Sequence, residues 1–202
     1  MHLTALYAAA KSLAFGKIPK PIDRRRSSTE RNPYLFHPRE FAFCGFSGSG
    51  KTFLISRLIR ELSPTYSIGY VKHDAHGFDI DIPGKDTFEA RKQGARMVAI
   101  NDSQHWALVA SGTPSMETLR QLYASMDIVF VEGYKNSTLP KIVLIDKNDS
   151  ILTAARAGDI SRISAFAGTA GSRADLKAHY FNRDDIEAIQ KHILSTLGFA
   201  GK

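Results

Sequence analysis

Residues 41–57, FAFCGFSGSGKTFLISR, constrain this chain more than any other stretch. An apolar run, Phe41-Ala42-Phe43-Cys44, leads into Gly45-Phe46-Ser47-Gly48-Ser49-Gly50-Lys51-Thr52. Leu54, Ile55, Leu58, Ile59 and Leu62 then recur at helical spacing. The pattern is G-x-x-x-x-G-K-[ST] set between a strand and a helix. Its glycines turn the backbone tightly and aim N–H groups at a phosphate chain, and the start of the helix adds unsatisfied donors and the positive end of a dipole. Gly45, Ser47, Gly48, Ser49, Gly50, Lys51, Thr52 and Phe53 are therefore the expected nucleotide-binding residues. Lys51 is expected to reach the outer phosphates, and the Thr52 hydroxyl to take one position on Mg²⁺. Phe53 offers only its backbone N–H, to an inner phosphate. The bland alternative is a glycine-rich turn with a surface lysine. Chance matches the four fixed positions in roughly one chain in a hundred, and the strand-loop-helix context lowers that further.

A length of 202 residues fits one domain with a small appendage, and 43% apolar with 23% charged residues supports an ordinary globular core. The single Cys44 excludes an internal disulfide and suits a reducing compartment, so a cytoplasmic location is expected. Its place at the strand end reads as a small buried side chain. No apolar run approaches the ~18 residues that span a bilayer. Of the net charge of +7, residues 1–40 carry +5, with eight Lys or Arg against Asp23, Glu30 and Glu40. The basic balance thus describes a tail, and nucleic acid is not an expected partner.

Taken in order, residues 3–15 have an amphipathic helical pattern, and residues 16–40, with Pro19, Pro21, Arg24-Arg25-Arg26, Pro33 and Pro38, read as a linker. Residues 1–39 are accordingly read as a basic extension and 40–202 as the nucleotide-binding domain. A strand is expected over 67–71, then a polar loop over 72–86 and a helix over 87–94. Met97–Ile100 and Trp106–Ala110 suggest a hairpin. A helix is expected over 116–126, a strand buried on both faces over 127–133, and another over 139–145. Residues 151–166 are weakly patterned and read as a short strand and a polar helix. An amphipathic helix through Ile186, Ile189, Ile193 and Leu197 completes the alternation. The expected fold class is α/β: a P-loop NTPase with a mostly parallel sheet, helices on both faces and a β-hairpin extension.

Ligands of parallel sheets gather beyond the carboxyl ends of the strands. Asp127 and Glu132 bracket one strand and stand roughly 16 Å apart at ~3.3 Å per residue. Only Glu132 can then share a site with Lys51 and Thr52, so it is expected to orient Mg²⁺, while Asp127 is structural. A solvated loop carboxylate is the alternative. Asp74 follows another strand to the same edge and is the third metal or catalytic candidate, beside Lys51 and Glu132. Lys72 and His73 could add positive charge, and His73, His76 and Asp74 could instead hold a transition metal. Asp79 and Asp81 read as solvated carboxylates. Lys135 and Lys141 flank the loop after Glu132 and could bind an anionic substrate or effector, or could be plain surface lysines. No Asn-Lys-x-Asp element appears, so the base is not legible from such a motif, and no arginine finger can be assigned.

GFSGSGKT, VKHDAHGFDIDIPGKDTFEARKQGA, DIVFVEGYK and PKI together resemble the molybdopterin-guanine dinucleotide biosynthesis protein B family. The likeness is strong over about residues 40–150, loose over 151–200, and does not explain residues 1–39. It implies a P-loop GTP-binding protein with weak GTPase activity that acts as a homodimer beside the guanylyltransferase attaching GMP to molybdopterin. It also implies GTP as ligand, Mg²⁺ on Thr52 and Glu132, an involvement of molybdopterin, and a family-specific surface over residues 72–86. Three other functions stay open: a non-catalytic adaptor that binds nucleotide or molybdopterin, a small-molecule P-loop kinase, and a metal-delivery GTPase using His73 and His76. An arginine-rich lid, usual in such kinases, does not stand out after Thr52.

Overall fold

Phe41, Ala42, Phe43 and Cys44 alternate between two faces of one strand, and all four are buried because both faces are covered. In the computed structural model, which describes residues 35–73, 77, 80–169, 175–176 and 178–199, this strand is β1 (Glu40–Cys44). It lies between β5 (Ile128–Glu132) and β6 (Lys141–Leu144), parallel to both. Outside β5 runs β2 (Ile68–Lys72), and outside β6 run β7 (Ile163–Gly168) and β8 (His179–Asn182). The sheet order is β2-β5-β1-β6-β7-β8, and every pairing is parallel.

Five helices complete the described chain: α1 (Lys51–Leu62), α2 (Asp86–Lys92), α3 (Met116–Tyr123), α4 (Ser150–Arg156) and α5 (Ile186–Thr196). Phe41, Phe43, Ile128 and Phe130 point to one face and pack on Leu54, Ile55 and Leu58 of α1 and on Ile189 and Ile193 of α5. Ala42, Val129 and Val131 point to the other face, beneath Leu119 of α3. Cys44 and Val143 meet Ile151 and Leu152 of α4 there. Each fully buried aliphatic or aromatic side chain stabilises the fold by about 1.5–3 kcal/mol before chain entropy is counted. Strands β3 (Met97–Asn101) and β4 (Trp106–Ala110) form a separate antiparallel pair, the expected hairpin.

Several expectations are corrected. The order in 151–166 is reversed, with α4 first and β7 second, and α4 buries Ile151 and Leu152 instead of being polar. Strand β8 was not foreseen, since its sequence His-Tyr-Phe-Asn is short and half polar. The helix expected over 116–126 stops at Tyr123. The linker expected through residue 40 gives way to ordered packing sooner: Phe36 and His37 are buried, and the Glu40 carboxylate accepts the N–H groups of Leu35 at 2.5 Å and Phe36 at 3.2 Å. The amphipathic helix and most of the linker lie outside the described residues.

Candidate functional site

Strand polarity decides which residues meet. The carboxyl end of β1 opens into the loop Gly45–Gly50, and α1 starts at Lys51 with that loop at its amino end. Gly48 at φ +74° and Gly50 at φ +91° hold the left-handed conformation that tight turning needs. Gly45 is required for space: a Cβ there would lie 2.5 Å from Ser49 Oγ and 3.0 Å from the Leu144 carbonyl oxygen. Lys51 Nζ donates to the carbonyls of Gly45 at 3.0 Å and Phe46 at 2.9 Å, so the ammonium bridges the mouth of the loop.

Glu132 is the last residue of β5 and shares its face with Ile128 and Phe130, the face that carries α1. That parity turns its carboxylate toward the start of α1. The Thr52 hydroxyl stands 3.4 Å from one Glu132 oxygen and 3.5 Å from the other, at the long limit for a hydrogen bond. Two hard oxygen groups so placed match the ligand preference of Mg²⁺. The Tyr70 hydroxyl donates to Glu132 Oε2 at 2.7 Å, and the Glu132 backbone carbonyl accepts His73 N–H at 3.1 Å. Burial, and then the hydrogen bond to Glu132, raise the Tyr70 phenol above its ordinary range, so it stays a donor at neutral pH.

Gly45, Ser47, Gly48, Gly50, Lys51, Thr52, Phe53, Lys72, His73, Glu132 and Gly133 line one cavity of about 480 Å³. Gly133, at φ +100°, carries the chain past His73, whose carbonyl would be 3.4 Å from an added Cβ. Ser49 is buried under the loop, its hydroxyl without a partner among the described residues. A larger cleft of about 670 Å³ lies by the hairpin; its lining is mostly apolar, with Ile80, Ile82, Ile100 and Leu108, and includes the Asp81 and Asp86 carboxylates.

Asp127 stands at the opposite end of β5, where its carboxylate accepts Ser67 N–H at 2.9 Å and Ser67 Oγ–H at 2.7 Å; these bonds hold its carboxyl below the usual range. Asp81 differs from expectation: it accepts from Thr87 Oγ1 at 2.9 Å and pairs with Arg91, tying α2 to the preceding loop. Lys141 is corrected outright. It opens β6 at the amino edge with 0% exposure, and its ammonium donates to the carbonyls of Ser137 at 2.6 Å and Ser161 at 2.7 Å. Burial lowers its pKa, and a side chain so held cannot serve an incoming anion. Lys135 is exposed and outside the cavity lining, and the His73 ring packs 5.0 Å from that of Tyr134. Asp74, His76 and Asp79 lie outside the described residues, and among the described residues no three His, Cys, Asp or Glu cluster as a metal site.

Two site residues escaped the sequence reading. Tyr70 lies two positions before Lys72 on β2, and alternation could have put it on the α1 face. Arg183 follows β8, which was itself not foreseen; its Nη1 donates to the Ser49 carbonyl at 3.3 Å.

The profile of the family MobB, Molybdopterin guanine dinucleotide synthesis protein B, matches residues 41–167. The chain is 40% identical over 111 residues to the Molybdopterin-guanine dinucleotide biosynthesis adapter protein of Escherichia coli K12, covering 51% of this chain and 63% of that one. It is 36% identical over 106 residues to the adapter protein of the same name from Haemophilus influenzae, covering 50% and 59%. The matched stretch thus spans somewhat less than two thirds of these curated relatives. The crystal structure of Bacillus subtilis MobB superposes with a TM-score of 0.63 at 25% identity, covering 81% of this chain and 99% of that one. The MobB homolog from Bacillus stearothermophilus gives 0.58 at 21%, covering 78% and 97%.

Proposed function

The chain belongs to the MobB family, and from that premise we propose that it binds GTP with Mg²⁺, hydrolyses it slowly and acts as an adapter in molybdopterin guanine dinucleotide biosynthesis. The guanylyltransferase that attaches GMP to molybdopterin is the proposed partner. The observation that carries the nucleotide reading is the approach of Thr52 to Glu132 across the amino end of α1, beside the Lys51 ammonium.

In this reading the amides of the Gly45–Gly50 loop and of Lys51 to Phe53 receive the phosphate oxygens. Two of the three Lys51 N–H donors are engaged by loop carbonyls, and the third is free to turn to an outer phosphate. Thr52 and Glu132 would hold Mg²⁺, which when bound offsets the charge of the outer phosphates. Hydrolysis would form a bond from a water oxygen to the γ-phosphorus and break the β–γ bridge, with GDP leaving on the bridging oxygen's electron pair. Loop amides and Lys51 stabilise the charge that moves onto that bridge; the chain's contribution is positioning and electrostatics. Asp74 is kept as a proposed water-positioning or metal-binding residue, and His73, His76, Lys72 and Lys135 as a proposed anion-binding rim.

The adapter names of the relatives favour a second reading, in which nucleotide binding alone is the output. Calorimetric titration of GTP, ATP and molybdopterin into the wild type and Lys51→Ala tests the first, together with phosphate release. GTP binding should fall at least a hundredfold in Lys51→Ala with the melting transition kept. Equal binding by both proteins would remove the loop from the site. Tight GTP binding with no phosphate release, even with the guanylyltransferase present, would select the binding-only adapter; phosphate transfer to a second small molecule would select a kinase.

Self-association is proposed through the hairpin. Met97, Trp106 and Leu108 are exposed on one face of it, an apolar surface larger than scattered single residues would make.

A further inference from the structure

A polyphosphate chain crossing the loop has two ends, and the two flanks of β1 differ. Glu132 ends β5, on one side of β1, and with Thr52 it would hold a cation that offsets outer-phosphate charge, so in the nucleotide reading the outer phosphates would face β5. The inner phosphate and the nucleoside beyond it then face the other flank, where the carboxyl ends of β6, β7 and β8 stand.

Arg183 waits on that flank. It directly follows β8, and its backbone N–H donates to the Gly168 carbonyl at 2.8 Å, which fixes it beside the end of β7. Its side chain lies against the outside of the phosphate loop: Nη1 is 3.3 Å from the Ser49 carbonyl oxygen, and a Cβ on Gly50 would come within 2.5 Å of the same nitrogen. Its Nε has no exposed surface and no partner among the described residues. The guanidinium carbon is 6.0 Å from the centre of the Phe53 ring, which is 54% exposed. Phe53 is also the residue whose N–H takes the inner phosphate in the nucleotide reading.

We propose that the Arg183 guanidinium and the Phe53 ring form the nucleoside wall of this site, receiving the face of a purine base; the proposal rests on the nucleotide reading given above. The chemistry suits the shape. A guanidinium is flat and weakly hydrated, so it stacks on a π-face, which a compact ammonium does not do. Such stacking tolerates either purine, consistent with a chain that lacks an Asn-Lys-x-Asp element.

Titration of GTP and of inorganic tripolyphosphate, each with Mg²⁺, into the full chain and into Arg183→Ala and Arg183→Lys tests this. GTP affinity should fall about tenfold in both variants, the scale of one lost stacking partner, while tripolyphosphate affinity stays at the wild-type value. A circular dichroism melt checks that the variants fold. Equal losses for both ligands would make Arg183 a brace of the loop and overturn the wall, as would unchanged GTP binding or full rescue by lysine. A wild type that takes tripolyphosphate and refuses GTP would instead remove the nucleotide reading, and the wall with it.

Discussion

A hydroxyl at position 52 and a carboxylate at position 132 meet because the strand carrying one is the immediate neighbour of the strand feeding the loop of the other. What holds that carboxylate at its angle is Tyr70, through a 2.7 Å bond to Oε2. A hydrogen bond to a charged group contributes about 1.5–3 kcal/mol, and an outer partner of a metal ligand commonly alters metal affinity ten- to a hundredfold. Tyr70→Phe should therefore raise the Mg²⁺ concentration for half-maximal GTP binding about tenfold, with GTP affinity in EDTA unchanged. Glu132→Gln should raise it further. An unaltered magnesium titration in Glu132→Gln would take that residue out of the site. Strand polarity alone made Glu132 legible and excluded Asp127. Lys141 is suggested only by its place in sequence beside the loop after Glu132; it opens β6 at the opposite edge, and the Ser161 carbonyl that helps hold its ammonium is a tertiary neighbour with no signature in local pattern.

At the level of elements, β1 and α1 were legible because one motif specifies the strand, the turn and the helix start together. Strand β5 was legible because a run buried on both faces has few other homes. β8 was not: at the edge of the sheet its two middle residues are half-buried and its two ends exposed, with too little apolar character to mark a strand. Since Arg183 depends on β8 for its place, losing the strand meant losing the residue. β1 also carries a titrating group at its start. Desolvation raises the Glu40 pKa from 4.5 to about 7, against the backbone bonds of Leu35 and Phe36 that lower it. Folding therefore favours the protonated acid: its contribution is whole below pH 4.5 and is lost as the pH climbs through about 7. Urea midpoints should fall across that window, by up to about 3 kcal/mol in stability. In Glu40→Gln the fall should flatten, and a slope unchanged from wild type would remove Glu40 as its source.

For the whole molecule, six parallel strands share one layer while the antiparallel hairpin stands apart from it, with Trp106 66% exposed. Trp106→Glu should raise the dissociation constant of a hairpin-mediated dimer at least tenfold in analytical ultracentrifugation and leave the melting temperature nearly unchanged. A dimer indifferent to that charge would have its contact elsewhere. Among the described residues no helix is long and apolar enough to cross a membrane. The turn at Leu35 and Phe36, pinned by Glu40, sits where β1 begins, and the phosphate loop sits where β1 ends. The five residues between are thus a spacer of roughly 16 Å through the middle of the layer. A fluorophore or affinity handle joined at Leu35 would hang behind the protein, and should leave the nucleotide mouth unobstructed.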